Sequence, residues 1–257
     1  MPLKAVIFDV DGTLADTEDA HRQAFNLTFK EFGLPWHWDV DCYAELLAMD
    51  GGEERLLHYA RRADPERIAM LGAACIARLL ARLHLRASQV HARRLELGKV
   101  PLRPGVARLL HELRAAGVRL AIATTTARAD VDVLLATLLG ELPADAFDVI
   151  GAGEQAAAMK PAPDLHRWVL EKLGLPGADC LAIEDSHDGL RAALGAGIPA
   201  LVTECVWTRR DDFSGALAVL PDLAGVDLAL LARLRESAAN SPHIHPARGE
   251  RRCRSSP

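Results

Sequence analysis

The sequence of 257 residues predicts an α/β protein, a doubly wound parallel sheet with a block of α-helices inserted after the first strand. Three observations indicate this fold. A short apolar segment, residues 5–8, ends directly in acidic residues. Residues 18–97 show apolar periodicity of the helical kind alone, and after Pro101 apolar strands alternate with amphipathic helices. Alternating strands and helices build parallel sheets with right-handed crossovers.

The first strand, LKAVIF over residues 3–8, is short and apolar, as a buried strand should be. Asp9 and Asp11 follow it immediately, and each buried carboxylate costs several kcal/mol unless a cation or hydrogen bonds offset its charge. Because ligands of open parallel sheets bind beyond the carboxyl ends of the strands, we expect both side chains to face a pocket. The alternative is a simple polar Asp-Gly turn.

The inserted block is predicted to contain three helices. Asp16 or Thr17 caps the first helix, which ends at Gly33. The second helix follows Gly52, and the third is long, covering about residues 65–94. No strand is predicted in this block, so we expect it to form a separate helical unit.

Beyond the block, strands and helices alternate along the chain. The predicted strands are 118–123, 147–150, 180–183 and 199–202, and the predicted helices are 106–113, 128–139, 163–173 and 186–196. The expected organisation is a core domain of residues 1–17 and 98–235, an α-helical cap domain of residues 18–97, linkers near 13–18 and 96–104, and a disordered polar tail of residues 236–257.

Composition and charge narrow the classes of function. The formal net charge of −5 gives no bulk attraction to nucleic acid or to an anionic membrane. The five cysteines include no C-x-x-C pair, so we expect neither a disulfide framework nor a zinc site, and a reducing, cytoplasmic setting fits. We see no secretory signal and no apolar stretch of about 20 residues that would span a membrane. A monomer is expected.

Three further segments place polar side chains at the ends of predicted elements. Thr124–Thr126 follow the second core strand, where hydroxyls, backbone N–H groups and a helix N-terminus suit a phosphate. Lys160 lies in a loop, and Glu184 and Asp185 end another apolar strand. Alone, each has an ordinary explanation: a helix cap for the threonines and for the acidic pair, and a solvated charge for the lysine.

Taken together, these four segments resemble the motifs of the haloacid-dehalogenase (HAD) superfamily of phosphatases and phosphotransferases, over roughly residues 1–235. The resemblance implies a Rossmann-like core. It also implies that Asp9 is the nucleophile, forming an aspartyl-phosphate, and that Asp11 is the general acid and base. Thr124, Thr125 and Thr126 would bind the phosphate oxygens, and Lys160 would neutralise the transferring group.

The charges of these segments favour Mg²⁺ as the cofactor. Mg²⁺ takes oxygen ligands and is commonly held by one or two carboxylates together with phosphate and water. Asp9 and Asp185 are the expected side-chain ligands, and the backbone carbonyl of Asp11 is a third. Glu184 is either a further ligand or the group that orients Lys160.

A narrower resemblance is to the CbbY-type sugar-bisphosphate phosphatases. The segments that carry it are DGTLADTEDAHRQAFN, GGEER, ATTT, MKPAPDLHRW, AIEDSHDGLRAA and VWTRRDDF. Those enzymes act on xylulose-1,5-bisphosphate, a misfire product of the Calvin-cycle enzyme ribulose-bisphosphate carboxylase. The resemblance implies a small phosphorylated sugar as the binding partner, with Glu18, His21, Gly52 and Arg55 facing it from the cap.

Arg55 suits a distal phosphate, since its planar guanidinium can bind two oxygens. This chain departs from the family pattern at Glu53, where the family often has lysine in a GGKER loop. A glutamate there removes a cation that would help to hold an anionic substrate. The alternative interpretation is that Glu53 lies in the first turn of a helix, where the helix dipole favours a negative charge.

Several alternatives share part of the pattern. A β-phosphoglucomutase-type phosphotransferase has the same four motifs, and phosphoglycolate hydrolysis needs little recognition by the cap. A receiver-like signalling module also uses an acidic Mg²⁺ pocket with a lysine, but the inserted helices and Asp11 argue against it. A non-catalytic binding protein is disfavoured because all the expected reactive groups are present.

Overall fold

The structure is a computed structural model of the chain, and it describes residues 3–47, 49, 51–138 and 146–240. Its centre is a six-stranded sheet in the order β3-β2-β1-β4-β5-β6, in which every neighbouring pair is parallel. The strands are β1 (Ala5–Phe8), β2 (Arg119–Ala123), β3 (Val149–Gly151), β4 (Cys180–Glu184), β5 (Ala200–Thr203) and β6 (Val219–Leu220). The predicted fold class is therefore confirmed.

Ten α-helices are found among the described residues. Five of them follow β1 as the inserted block: α1 (Thr17–Glu31), α2 (Val40–Leu47), α3 (Gly52–Ala63), α4 (Pro65–Met70) and α5 (Ala73–Glu96). The other five are α6 (Val106–Ala115), α7 (Arg128–Leu138), α8 (Asp164–Leu173), α9 (His187–Gly195) and α10 (Leu228–Asn240). None of the helices in the described residues has the length and apolar character that a membrane span requires.

The sheet is covered on both faces because alternate residues of each strand point to opposite sides. Val6 and Phe8 of β1 belong to an apolar cluster with α6, α7 and α10. Ala5 and Ile7 belong to a second cluster with α8 and α9. All four side chains are almost completely buried, which places β1 in the middle of the core.

The inserted helices have an apolar cluster of their own. It is aromatic at its centre, where Trp38 lies 4.5 Å from Phe25 and 5.2 Å from Phe29 between ring centroids. Leu56 of α3 and Leu83 of α5 are fully buried in it. The buried members of this cluster all lie between Phe25 and Ala87. The interpretation of residues 18–97 as a separate cap domain stays a prediction.

The two connections between the helical block and the sheet run side by side. Ala15 and Leu102 form an isolated antiparallel bridge, and the backbone N–H of Arg103 donates to the carbonyl of Leu14 at 2.8 Å. The block therefore starts and ends at neighbouring points of the core.

The predicted elements of the cap needed two corrections. Helix α2 was not predicted, and the single long helix over residues 65–94 is wrong: the structure has α4 and α5 with a break at Leu71 and Gly72. Gly72, the N-cap residue of α5, has extended backbone angles (φ −68°, ψ 156°). Glycine in a helix interior costs about 1 kcal/mol relative to alanine, and this favours a break there.

In the core, strand β3 lies at Val149–Gly151 rather than 147–150, and β6 and α10 were not predicted. The tail prediction for residues 236–257 is wrong at its start, because α10 continues to Asn240. The sequence Ser237-Ala-Ala-Asn contains two alanines, the best helix formers, which allows this extension. The rest of the predicted tail, residues 241–257, lies outside the described residues.

Candidate active site

The site lies at the carboxyl ends of three adjacent strands. Asp9 follows β1, Thr124 follows β2, and Glu184 ends β4 with Asp185 directly after it. Lys160 comes from the loop before α8. Because β1 pairs with both β2 and β4, the parallel sheet brings these strand ends together, and all five side chains are buried or nearly so.

Lys160 joins the two acidic segments. Its Nζ lies 2.7 Å from Oδ1 of Asp9 and 2.9 Å from each carboxylate oxygen of Glu184. Burial disfavours the charged ammonium, but Asp9 and Glu184 outweigh burial and raise the pKa of Lys160 above its usual value. Lys160 is therefore charged, and it holds Asp9 and Glu184 in fixed positions.

Glu184 has a second basic neighbour. Nε2 of His166, from α8, lies 3.0 Å from Oε1 of Glu184, and neither side chain is accessible to solvent. Burial alone would favour the neutral carboxyl, but Lys160 and His166 together hold the pKa of Glu184 below its ordinary value. Burial lowers the pKa of His166, so Lys160 is the cation that faces the ionised Glu184, and His166 is a neutral polar neighbour.

The carboxylates outnumber the cations in this site. Asp9, Glu184 and Asp185 are buried, and one oxygen of each lies within 4.8 Å of the others. Burial raises the pKa of Asp9 well above its ordinary value, and Lys160 offsets only part of that effect. Burial, reinforced by Glu184, raises the pKa of Asp185 to about 7. A donor set of buried oxygens with excess negative charge fits a hard divalent cation.

Asp11 is held by two hydroxyl groups. Thr17 Oγ1 donates to Oδ1 at 2.5 Å, and Thr126 Oγ1 donates to Oδ2. The Thr124 hydroxyl, which is fully buried, accepts from the backbone N–H of Thr126 at 3.2 Å. Thr125 is exposed at the same strand end. The structure therefore brings Thr126 to Asp11, whereas the sequence had placed it among the phosphate ligands.

Only glycine fits at position 12 without strain or a steric clash. Its φ of +77° lies in the left-handed region, and a Cβ atom there would lie 2.1 Å from Oδ2 of Asp185. The loop after β1 thus passes directly over the second acidic segment. This close approach brings the backbone that follows Asp11 next to Asp185.

The predicted substrate residues of the cap lie on α1 and α3. The Tyr43 hydroxyl donates to Oε2 of Glu18 at 2.9 Å, and burial raises the pKa of Glu18. The ring of His21 stacks on His91, with 3.5 Å between centroids, and burial lowers the pKa of His21. Arg55 Nε donates to the carbonyl of Met49 at 2.9 Å.

A small cavity of about 60 Å³ joins the cap to the core. Asp11, Thr17 and Thr126 line it on the core side, and His21 and His91 line it on the cap side. Asp11 and His21 therefore share one cavity. Gly52 has a different environment: a Cβ there would lie 2.5 Å from the His84 ring, so the glycine permits close packing of α3 on α5. Glu53 is exposed at the start of α3.

Sequence reasoning missed His166 and Cys205, which both contact the acidic pair. Cys205 Sγ lies 3.4 Å from Oδ2 of Asp185 and is buried. His166 gave a detectable signal, since it lies on the apolar face of α8 with Leu165 and Val169, where a polar ring needs a partner. Nothing local in the sequence pointed to Cys205.

The chain has a buried carboxylate at the end of its first strand, a lysine bound to that carboxylate, and a block of helices inserted after the strand. This combination defines a class of hydrolases. The haloacid dehalogenase-like hydrolase family matches residues 3–197, and the chain belongs to this family. Among its relatives is the plasmid-encoded protein CbbY of Cupriavidus necator, which is 50% identical over 222 residues, 86% of each chain. CbbY of Rhodobacter capsulatus is 46% identical over 224 residues, 87% of this chain and 95% of that one.

A solved structure extends the similarity to the fold and to a ligand. The crystal structure of a CbbY mutant from Rhodobacter sphaeroides in complex with xylulose-(1,5)bisphosphate has a TM-score of 0.70 and 40% identity. The alignment covers 89% of this chain and 99% of that one. The protein is therefore a HAD phosphatase of the CbbY type.

Proposed function

We propose that this phosphatase hydrolyses xylulose-1,5-bisphosphate, a small phosphorylated sugar, through a covalent aspartyl-phosphate, an acyl phosphate, on Asp9. The observation that carries the mechanism is the contact of Lys160 with both Asp9 and Glu184. The substrate is inferred from the bisphosphate bound by the similar CbbY structure. We further propose that residues 18–97 act as a cap domain over this site.

Asp9 is suited to be the nucleophile by its position and its partners. Lys160 binds Oδ1, and Oδ2 accepts no hydrogen bond from any residue that the structure describes. Its backbone N–H donates to the carbonyl of Ile183 at 3.0 Å, which fixes the residue at the strand end. In the first step Oδ2 bonds to phosphorus while the bond from phosphorus to the sugar oxygen breaks.

Asp11 is suited to move the protons. In the first step a protonated Asp11 gives its proton to the departing sugar oxygen. In the second step the ionised Asp11 takes a proton from water as the water oxygen bonds to phosphorus, and the bond between Asp9 and phosphorus breaks. Thr17 and Thr126 hold the carboxyl group of Asp11 and fix its starting position.

The residues present fit a Mg²⁺ ion. Asp9 and Asp185 would hold it, together with the backbone carbonyl of Asp11, while Glu184 is engaged by Lys160 and His166. The ion supplies positive charge that offsets the carboxylates and the transferring phosphoryl group. Thr124 and Thr125, at the N-terminal side of α7, are proposed to bind the phosphate oxygens.

The cap residues Glu18, His21 and Arg55 are proposed to bind the sugar and its second phosphate. Only the Nε of Arg55 is used within the described residues, so its two terminal amino groups are available to an anion. Glu18 and His21 lie about one helical turn apart on α1, and His21 lines the cavity. Their half-buried polar groups suit the hydroxyls of a sugar.

A comparison of substrates tests this function. The protein with Mg²⁺ is incubated with xylulose-1,5-bisphosphate, with related sugar monophosphates and with phosphoglycolate, and both phosphate and sugar products are measured. Stoichiometric phosphate release, fastest from the bisphosphate and absent in Asp9→Asn, is the expected result. An isomerised sugar phosphate without phosphate release would instead establish a phosphotransferase, and phosphoglycolate as the best substrate would replace the proposed sugar.

A further inference from the structure

Arg103, in the connection that leads from the cap helices back to the core, binds three separate segments of the chain. Its guanidinium donates to the carbonyl oxygen of Gly12, to the carbonyl (3.0 Å) and hydroxyl (3.3 Å) of Thr203, to the carbonyl of Glu204 (2.9 Å) and to the carbonyl of Pro221 (2.8 Å). Within the described part of the chain it forms no ion pair with a carboxylate. A rigid fork of donors matches such a set of acceptors better than a single ammonium group does.

The first of these segments carries the catalytic aspartates. Gly12 is fixed at three points: its N–H donates to Ala15 at 2.8 Å, its Cα lies against Asp185, and its carbonyl receives Arg103. The peptide group before Gly12 contains the carbonyl of Asp11, which is a proposed Mg²⁺ ligand. Gly12 adopts a left-handed conformation with a φ of +77°. Holding its carbonyl in place also fixes the preceding peptide group, and with it the orientation of the Asp11 carbonyl.

The second segment approaches the other side of the proposed metal site. Thr203 ends β5, and Glu204 and Cys205 follow it. Cys205 is buried and contacts Oδ2 of Asp185 at 3.4 Å. One guanidinium therefore connects the two backbone segments that lie against Asp185.

We propose that Arg103 is a positioning residue for the divalent cation site, which sets the distance between the Asp11 carbonyl and the Asp185 carboxylate. It contacts neither substrate nor metal. This inference rests on the proposed Mg²⁺-dependent function. Loss of an outer partner of a metal ligand typically weakens metal affinity about 10- to 100-fold, so the effect is measurable.

Arg108 is a matched control for this proposal. It lies five residues further on, at the start of α6, and also donates to backbone carbonyls: Leu223 (3.1 Å), Ala224 (3.4 Å) and Val226. It pairs with Glu112 at 3.0 Å and has no contact with the loop after β1. If Arg103 acted only by stabilising the loops that it binds, replacing Arg108 should therefore have the same effect as replacing Arg103.

The test measures Mn²⁺ binding to the full-length protein by electron paramagnetic resonance, without substrate, in Arg103→Met, Arg103→Lys and Arg108→Met. We expect Arg103→Met to raise the Kd about 10- to 100-fold, and Arg103→Lys to raise it less because the lysine keeps the charge but loses the fork. Arg108→Met should leave the Kd within about twofold of wild type while lowering Tm.

The proposal is overturned if Arg103→Met binds Mn²⁺ as wild type does, or if Arg108→Met weakens binding equally. Should Arg103→Met fail to fold, Arg103→Lys decides the question in the same assay. An unchanged Kd in that variant overturns the proposal, and a raised Kd with wild-type Tm supports it. Because metal binding is read without substrate, an error in the proposed phosphatase substrate would appear only in the phosphate-release assay.

Discussion

The ammonium nitrogen of Lys160 lies 2.7 Å from Oδ1 of Asp9, although 151 residues separate the two in the chain. Lys160 also contacts Glu184, so one buried cation orders the ends of two neighbouring strands. The ion pair fixes one oxygen of Asp9 and directs the other away from the lysine.

The exchange Asp9→Asn removes the attacking charge and keeps the shape of the side chain. Phosphate release should fall by at least about 10³-fold, because no other group replaces a covalent nucleophile. Asp132→Asn, on the exposed surface of α7, is the control and should keep wild-type turnover. Activity of more than a few per cent in purified Asp9→Asn, with contamination excluded, would refute the covalent role.

Binding of Mg²⁺ should depend on pH through Asp185. In the metal-free protein its pKa is about 7, so below that pH the carboxyl is protonated and the ion must displace a proton. The apparent affinity should therefore rise as the pH increases toward 7 and level off above it, and the raised pKa of Asp9 acts in the same direction. Titration calorimetry in buffers of different ionisation enthalpy measures the released protons. An affinity that does not change between about pH 5.5 and pH 7 would contradict this assignment.

Gly12→Ala should damage the site much more than the fold. It forces a side chain into φ +77° and onto Asp185, whereas Gly117→Ala has a similar φ of +74° with open space around it. The backbone cost alone is about 1–2 kcal/mol for either position. Thermal unfolding and Mg²⁺-dependent turnover should show a modest loss of stability in both variants and a large loss of activity in Gly12→Ala only. Equal activity in the two would mean that Asp185 can move away without consequence.

Arg55→Ala tests recognition of a second phosphate by the cap. A charge-assisted contact contributes roughly 1.5–3 kcal/mol, so kcat/KM for the bisphosphate should fall about tenfold to a hundredfold, mainly through KM. A monophosphate should be affected far less. Arg61→Ala, an exposed arginine on the same helix, controls for general charge. Equal losses with both kinds of substrate would favour a monophosphate.

Asp11→Asn should stop steady-state turnover while leaving Asp9 able to attack phosphorus. If protonation of the sugar oxygen is less demanding than activation of water, the phosphorylated form of Asp9 accumulates. Intact-protein mass spectrometry after rapid quenching detects the added phosphate. Normal turnover in this variant would mean that another residue transfers the protons.

The sequence was informative wherever a strand met charged residues. Asp9 and Asp185 could be placed because a buried strand that ends in carboxylates needs a compensating charge, and the parallel sheet then fixes where the strand ends meet. The roles of these residues and the limits of the cap domain stay predictions. Contacts from distant segments could not be inferred, because nothing near Arg103 in the sequence indicates Gly12, Thr203 or Pro221 as partners.

The elements of the cap show the limits of periodicity. The apolar pattern over residues 65–94 continues through Gly72, so periodicity hides the break between α4 and α5, which only this glycine indicates. The short helix α2 has too few turns to give a clear pattern, yet its Tyr43 is the partner of Glu18. That contact joins residues 25 positions apart in the chain, so local preference does not indicate it.

The bridge between Ala15 and Leu102 also has an evolutionary consequence. Since the inserted helices leave and rejoin the core at adjacent positions, recombination at these two points exchanges the whole insertion without rerouting any strand. The groups proposed to react lie on the core, and the groups proposed to select the sugar lie on the insertion. Under the proposed mechanism, a lineage acquires a new substrate by replacing or reshaping one contiguous stretch of its gene, while the chemistry proposed for Asp9 is inherited intact.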